Sequence, residues 1–144
     1  MMLSIDFKDK KVFDYGSGTG ILAILAKKLG AGETIANDID DWAAENINEN
    51  IGLNQVSGIK FIHGDLNAIT DIDFDIILAN INRNVLQASM QQMANCLKKD
   101  GIIIISGFYE SDLDVLHESI EQAGLLVGTH LSKNNWCAAV LSFR

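Results

Sequence analysis

The chain has 144 residues, of which 48% are hydrophobic and 21% charged, and this composition predicts one ordinary soluble domain. Its formal charge of −8 argues against a surface that binds nucleic acid phosphates directly, since such binding needs clustered Lys and Arg. Because no apolar run reaches the length of about 18 residues that a membrane span needs, and no signal peptide is recognisable, we expect a cytoplasmic protein without a membrane partner.

Strand-type segments alternate with segments of helical periodicity, which is the pattern of an α/β fold. The first four predicted strands cover 12–15, 34–37, 59–63 and 74–79. In the first predicted helix apolar residues recur at helical spacing at Ile21, Leu22, Leu25 and Leu29, and Gly30 and Gly32 end it. The second helix follows capping residues at 38–41. Its predicted inner face carries Ala44, Ile47 and Ile51.

The second half of the chain predicts two more helices and three more strands. Helix three places Leu86, Met90, Met93 and Leu97 on one face and ends with Lys98 and Lys99. A buried strand at 102–105 and a fourth helix, which Gly124 ends, follow it. The last strands, 125–131 and 136–143, are only four residues apart, which is too short for a parallel crossover. They are therefore predicted to be antiparallel neighbours in a mostly parallel sheet.

A glycine cluster between the first strand and the first helix predicts a ligand site. It reads Asp14-Tyr15-Gly16-Ser17-Gly18-Thr19-Gly20, and such glycines let backbone N–H groups approach a bound group closely. A dinucleotide fingerprint would require glycine at position 21, where Ile21 stands. Walker-type phosphate binding is also excluded, because no Gly-Lys-Ser/Thr follows. The alternative is a tight turn that binds nothing.

Three further polar residues follow predicted strands at the same edge of the sheet. Asp38 is placed to accept hydrogen bonds from ribose hydroxyls, although it could instead cap the next helix. Asp65 could accept from an adenine amine or simply close an Asx turn. Asn80 could donate and accept at a reacting group, whereas Asn82 is predicted to cap the third helix.

Several other residues leave alternatives open. Arg83 could pair with an acidic side chain or a substrate carboxylate, or lie in solvent. Phe108 and Tyr109 could line the substrate side of the crevice or pack in the core. Trp42 and Trp136 are interpreted as packing residues, although Trp42 is close enough in sequence to Asp38 to border an adenine pocket. No metal site is predicted, because the cysteines and histidines lack ligand spacing.

With these motifs the chain resembles the seven-stranded S-adenosylmethionine-dependent methyltransferases, and more narrowly the catalytic domain of the ribosomal protein L11 methyltransferase family. The narrower resemblance is carried by residues 37–40, 45–54, 78–82 and 105–109. It implies a Rossmann-like, doubly wound sheet of seven strands, mostly parallel with the last strand antiparallel. It further implies that the methionine part of S-adenosylmethionine is held by Asp14, Gly16, Ser17, Gly18, Thr19 and Gly20.

The resemblance assigns the remaining site residues too. Asp38, with Ile39 beside it, would hold the ribose, and Asp65 with Leu66 would hold adenine. Asn80 would face both the methionyl end and the incoming amine, as the catalytic residue. The implied reaction is methyl transfer to lysine or N-terminal amines of a ribosomal large-subunit protein. No general base is identified.

Members of this family also carry an upstream domain that recognises the ribosomal protein. We therefore expect residues 1–144 to be a single cofactor-binding domain, a fragment that lacks this recognition domain. A small-molecule methyltransferase and a non-catalytic module that binds an adenosine ligand are the alternative functions. A dehydrogenase is least favoured because of Ile21.

Overall fold

The computed structural model describes residues 1–144 as a seven-stranded sheet with four helices. The helices are α1 (Ile21–Lys28), α2 (Asp41–Leu53), α3 (Arg83–Cys96) and α4 (Leu113–Gln122). The strands are β1 (Val12–Tyr15), β2 (Thr34–Asp38), β3 (Ile59–His63), β4 (Phe74–Asn80), β5 (Leu97–Tyr109), β6 (Leu125–Lys133) and β7 (Trp136–Phe143). None of the helices has the length and apolar character needed to cross a membrane.

The strands lie in the order β3-β2-β1-β4-β5-β7-β6. All neighbouring pairs are parallel except those that β7 makes with β5 and β6, which confirms the predicted sheet with its reversed last strand. The β6–β7 connection is shorter than the predicted four residues, because both strands extend toward the turn. Only Asn134 and Asn135 lie between them, with φ values of 52° and 67°, as a tight hairpin turn requires.

Helices cover both faces of the sheet, so the fold is doubly wound as expected. Alternate residues of a strand point to opposite faces. Ile77 and Ile103 pack in the largest core cluster, together with apolar residues of α3 and α4. Ile76 and Leu78 pack instead with Ala26 of α1. This burial on both faces explains why the central strands are almost continuously apolar.

The third helix ends earlier than its periodicity predicts, and the placement of Leu97, Lys98 and Lys99 in it is wrong. These residues begin β5, where Leu97 pairs with Phe74 of β4. Lys98 donates to Asp75 at 2.8 Å. Strand pairing and this ion pair are contacts between segments that are distant in sequence, and they outweigh the local preference for helix.

The rotation of α2 about its axis differs from the prediction, and the apolar periodicity of α1 does not by itself show which residues are buried. Ile21 is 66% exposed, and α1 instead buries Ala23, Ile24 and Ala26. In α2 it is Ala43, rather than Ala44, that is buried beside Ile47. Small alanines on the inner faces let both helices lie close to the sheet, which decides the rotation.

The direction in which the chain winds positions the site. From β1 the chain moves outward to β2 and β3, and it then returns to add β4 and β5 on the other side of β1. Parallel sheets of this kind open a crevice at the carboxyl ends of the strands where the winding direction reverses. The glycine cluster after β1 and Asn80 at the end of β4 both lie at this point.

Candidate active site

A cavity of about 270 Å³ opens beside the glycine cluster, close to the lower end of the range of about 300–1,000 Å³ typical of small-molecule sites. Its apolar walls come from Tyr15, Ile39, Ile81 and Val85. Among its polar walls are the side chains that end β2 and begin the following turn. Such a mixture of apolar walls and a few placed polar groups suits an organic ligand with a flat ring and polar ends.

The glycine loop requires glycine where other segments approach it most closely. Gly16 has a φ of 66°, and a Cβ there would lie 2.5 Å from Cγ2 of Ile81. The backbone N–H of Ser17 donates to the carbonyl of Asn37 at 2.8 Å. These contacts hold the loop against the end of β2 and against the segment after β4, so the loop is part of the cavity wall.

Asp38 connects the glycine loop to the turn after β2. Its side chain accepts from the N–H of Gly18 at 2.7 Å and from the N–H of Asp40 at 3.0 Å. Asp40, not Asp38, is the N-cap residue of α2, so the helix-cap alternative for Asp38 is not realised. A carboxylate has about four lone-pair positions, and two internal bonds leave acceptor capacity for neighbouring hydroxyls.

Asn37 is a site residue that the sequence analysis missed. It is fully buried, and its Nδ2 donates to the carbonyl of Gly64 at 2.8 Å. Its Oδ1 accepts from the N–H of Gly16 at 3.4 Å. The side chain thus joins the loops that follow β1 and β3. Its position directly before Asp38 at a strand end was the one local signal for this role.

Asp14 lies behind the glycine loop rather than in the cavity wall. It is 1% exposed and accepts from the N–H of Ala23 in the first turn of α1 at 2.9 Å. Burial raises the pKa of Asp14 from its usual 3.8 to about 7; the Ala23 hydrogen bond lowers it and the nearby Asp38 charge raises it further. Asp14 thus connects β1 to α1 through a hydrogen bond. Its contact with a ligand stays a prediction.

The raised pKa predicts that Asp14→Asn changes how stability depends on pH. Between about pH 4 and 7 the folded protein keeps a proton on Asp14 that the unfolded chain has lost. Stability from this group therefore falls as pH rises, by at most roughly 1.4 kcal/mol per pH unit. The free energy of unfolding, measured in urea, should therefore rise in the variant relative to the natural chain by about 1–3 kcal/mol between about pH 5 and pH 8. Parallel stability curves would contradict this expectation.

Asp65 and Leu66 lie at the edge of the site. Asp65 is exposed and accepts from both the backbone N–H and the side-chain amide of Asn67, each at 2.9 Å, which is the Asx-turn alternative. Leu66 belongs to the main core cluster. In this segment Gly64 reaches the cavity wall, and the adenine contacts of Asp65 and Leu66 stay predictions.

The segment after β4 separates the cavity from a second groove. Asn80 is exposed and lines that groove with Ser106 and Gly107. A Cβ on Gly107 would lie 2.7 Å from Oδ1 of Asn80, so glycine is needed for this close approach. The predicted cap is confirmed, since Asn82 accepts from the N–H of Val85 at 3.1 Å, and Asn82 lines the cavity as well.

The aromatic residues divide between core and surface. Phe108 is 1% exposed and packs in the core, whereas Tyr109 is 49% exposed. The interpretation of the two tryptophans as packing residues is wrong, because Trp42 and Trp136 are 50% and 52% exposed. Trp42 borders the glycine loop; a Cβ on Gly18 would lie 3.7 Å from its ring.

The residues present fit a nucleoside that carries an amino-acid chain. Asp38 retains acceptor capacity for a ribose, and Ile39 and Val85 offer apolar surface to a base. In the glycine loop the hydroxyl of Ser17 is buried and has no hydrogen-bond partner in the protein. A buried polar group without a partner is rare in folded proteins, and a polar ligand atom at this loop would supply one.

The fold and the place of the site define the class of the protein, a methyltransferase fold. A TehB-like S-adenosylmethionine-dependent methyltransferase from Corynebacterium glutamicum superposes with a TM-score of 0.76 over 95% of this chain and 82% of its own, at 18% identity. At that identity the likeness concerns the fold alone. A closer solved structure is the ribosomal protein L11 methylase of Lactobacillus delbrueckii subsp. bulgaricus, with a TM-score of 0.94 and 31% identity over 99% of this chain and 74% of its own.

The particular family follows from the sequence. Residues 2–144 match the family described as ribosomal protein L11 methyltransferase (PrmA), and the chain belongs to this family. The L11 methyltransferase of Porphyromonas gingivalis is 44% identical over 138 residues, which cover 95% of this chain and 48% of that protein. That of Bacteroides thetaiotaomicron is 41% identical over 99% of this chain and 51% of its own length. The chain thus spans about half the length of these curated relatives.

Proposed function

We propose that residues 1–144 form the cofactor-binding and catalytic domain of an S-adenosylmethionine-dependent methyltransferase that acts on amino groups of ribosomal protein L11. The observation that carries the proposal is the Asp38 carboxylate, bonded to the glycine loop and facing a cavity where the sheet reverses its winding, in a chain of this family.

Different residues of the site bind different parts of the cofactor. Asp38 accepts hydrogen bonds from the ribose hydroxyls, and Ile39 packs against the base, with Asp65 and Leu66 at its outer edge. The loop from Gly16 to Gly20 offers backbone N–H groups and the Ser17 hydroxyl to the amino-acid end. Asp14 keeps this loop in register with α1 through its bond to Ala23.

The chemistry requires alignment more than acid–base groups. S-adenosylmethionine, when bound, supplies a methyl group activated by a sulfonium. Asn80 accepts a hydrogen bond from an N–H of the incoming neutral amine and thereby aims its lone pair along the line of displacement. Desolvation in the crevice lowers the pKa of that amine and favours its neutral form. The displaced proton passes to water, since the site offers no placed base.

This role predicts that Asn80→Ala lowers the rate of methyl transfer by about 10- to 100-fold while cofactor affinity changes by less than about two-fold, because only the reacting end is disturbed. Steady-state kinetics and calorimetry on the same samples separate the two effects. Asn95→Ala, which removes an exposed amide in the last turn of α3, away from the site, is the matched control. Equal rates for all three proteins would contradict this role and would leave Asn80 as a residue of the turn after β4.

The proposed function is tested in two stages. Calorimetric titration should show binding of S-adenosylhomocysteine and no binding of NAD. Transfer of labelled methyl groups to purified ribosomal protein L11 is then measured for the chain alone and for the chain joined to the unmatched half of the P. gingivalis relative. We expect the joined protein to be the faster enzyme.

Three outcomes would contradict the proposal. Binding of NAD alone would identify a dinucleotide site. Binding of S-adenosylhomocysteine with transfer only to free small amines would favour a small-molecule methyltransferase. Tight binding without transfer to any amine, in both proteins, would favour a module that binds the nucleoside without catalysis.

A further inference from the structure

A histidine at the edge of the sheet connects two of the segments that surround the cavity. His63 is the last residue of β3, which is an edge strand, and it pairs in register with Asp38 of β2. Its side chain is half-exposed, and its Nε2 lies 3.0 Å from the carbonyl oxygen of Ile39, in the turn after β2. The imidazole thus contacts the backbone of the turn that follows the proposed ribose carboxylate.

The two neighbours of Nε2 fix the tautomer of this imidazole. One is the carbonyl oxygen of Ile39, and the other is a carboxylate oxygen of Asp41, 3.3 Å away. A carbonyl oxygen can only accept a hydrogen bond, so Nε2 must carry the hydrogen, in the neutral imidazole as well as in the imidazolium. Because the side chain of Asp41 is fully exposed, its ion pair with His63 contributes little. The bond to Ile39 is therefore the contact through which His63 reaches the site.

The peptide unit between Ile39 and Asp40 is held at both of its polar ends. Its carbonyl accepts from His63, and its N–H donates to Oδ1 of Asp38 at 3.0 Å. The other oxygen of the same carboxylate accepts from the N–H of Gly18 at 2.7 Å. A peptide unit is planar and rigid, so a rotation that breaks the bond to His63 also misaligns the bond to Asp38. One rigid unit therefore connects the imidazole to the carboxylate.

His63 is not part of the cavity wall, whereas the residues that it connects are. Asp38, Ile39, Asp40 and Gly64 all line the cavity. The carbonyl of Asp38 accepts from the N–H of Gly64 at 2.9 Å, and the next carbonyl, that of Ile39, accepts from His63. Because Ile39 is 68% exposed, packing of its side chain does little to fix the turn. The hydrogen bond from His63 is thus a main restraint on this part of the wall.

We propose that His63 is a positioning residue of the cofactor site. By donating to the carbonyl of Ile39, it holds the peptide unit whose N–H aligns the Asp38 carboxylate for the ribose hydroxyls. The same bond keeps the side chain of Ile39 where the base packs. Groups that are held in place before the ligand arrives lower the free-energy cost of binding. This inference deepens the proposed function and rests on it, since the ligand of the Asp38 carboxylate is the one proposed there.

The first test is calorimetric titration of His63 variants with S-adenosylhomocysteine. His63→Ala should weaken binding about three- to ten-fold, because a hydrogen bond that orders the cavity is lost. His63→Gln should stay within about two-fold of the natural chain, because the amide nitrogen of glutamine can replace Nε2 and donate to the same carbonyl. His130→Ala is the matched control and should leave the affinity unchanged, since His130 is an exposed histidine of the other edge strand, β6.

The second test examines the protein without a ligand, by NMR. The neutral ring of His63 should be the Nε2–H tautomer, which the chemical shifts of its ring nitrogens report, and the loss of these signals in His63→Gln assigns them. The backbone amide signals of Gly18 and Asp40, whose N–H groups donate to Asp38, should shift in His63→Ala and stay in place in His130→Ala. The same spectra show whether each variant is folded.

Three results would overturn the positioning role of His63. They are an Nδ1–H tautomer, an affinity of His63→Ala equal to that of the natural chain, and an equal loss of affinity in His63→Ala and His63→Gln. If the natural chain binds S-adenosylhomocysteine and one of these results is found, the positioning role fails and the proposed function stands. If the natural chain does not bind this ligand, the proposed function fails and the positioning role fails with it, whatever the NMR spectra show.

Discussion

Asp38→Ala is expected to weaken binding of S-adenosylhomocysteine by about 10- to 150-fold, or about 1.5–3 kcal/mol. The variant loses the carboxylate proposed to accept from the ribose. It also frees the N–H groups of Gly18 and Asp40, which the carboxylate holds at 2.7 and 3.0 Å. The glycine loop is then no longer connected to the turn after β2. Part of the expected loss of affinity therefore comes from a cavity that is less well preorganised. Calorimetric titration measures the change.

Asp41→Ala is the matched control for this loss of charge. Its side chain is fully exposed and lies three residues further along, at the start of α2. We expect its affinity for the same ligand to stay within about two-fold of the natural chain, since an exposed charge contributes little. A similar loss in both variants would mean that general electrostatics, and not the Asp38 hydrogen bonds, holds the ligand.

Gly20→Ala is expected to lower the free energy of unfolding by about 2–4 kcal/mol. Gly20 has a φ of 78°, and an added Cβ would lie 2.3 Å from Cγ1 of Ile47. The left-handed backbone costs an L-residue roughly 1–2 kcal/mol, and the overlap with a fully buried side chain adds the cost of overpacking. Urea unfolding followed by circular dichroism measures the difference.

The same change at Gly52 should act in the opposite direction. Gly52 lies within α2, and nothing lies within 4 Å of an added Cβ. Gly52→Ala should therefore stabilise the protein by about 0.5–1 kcal/mol, because alanine restricts the unfolded chain and favours helix. If Gly20→Ala proved as harmless as Gly52→Ala, the close contact between the glycine loop and α2 would be wrong.

The sequence predicts those features of the site that depend on residues close to one another along the chain. The glycine loop could be predicted because three glycines between an apolar strand and a helix serve a backbone geometry that other residues resist. Asp38 could be predicted for a similar reason, since it ends one strand and precedes a helix. Asn82 could be predicted as a helix cap because its side chain accepts from the backbone N–H of a residue only three positions ahead.

Other site features depend on segments that are far apart in sequence. Ile81 enters the cavity wall because the segment after β4 meets Gly16. Tyr109 meets Trp136 only through the register of β5 with β7, which shifts between Ser106 and Phe108. A bulge of this kind changes which side chains share a face. A bulge has no reliable local signal in the sequence. The sequence therefore predicts that Trp136 packs in the core, whereas the structure exposes half of it.

By itself the sequence determined the order of strands and helices, the reversed last strand, and the loop and carboxylate at the reversal point, because periodicity, glycine spacing and short connections are local properties. The tertiary structure decided where helix three gives way to β5, which faces of α1 and α2 are buried, and that Asp14 lies behind the loop. It also decided that Trp136 and Asn80 line the same groove. These features depend on strand register and on the desolvation of particular groups, which arise only when distant segments pack together.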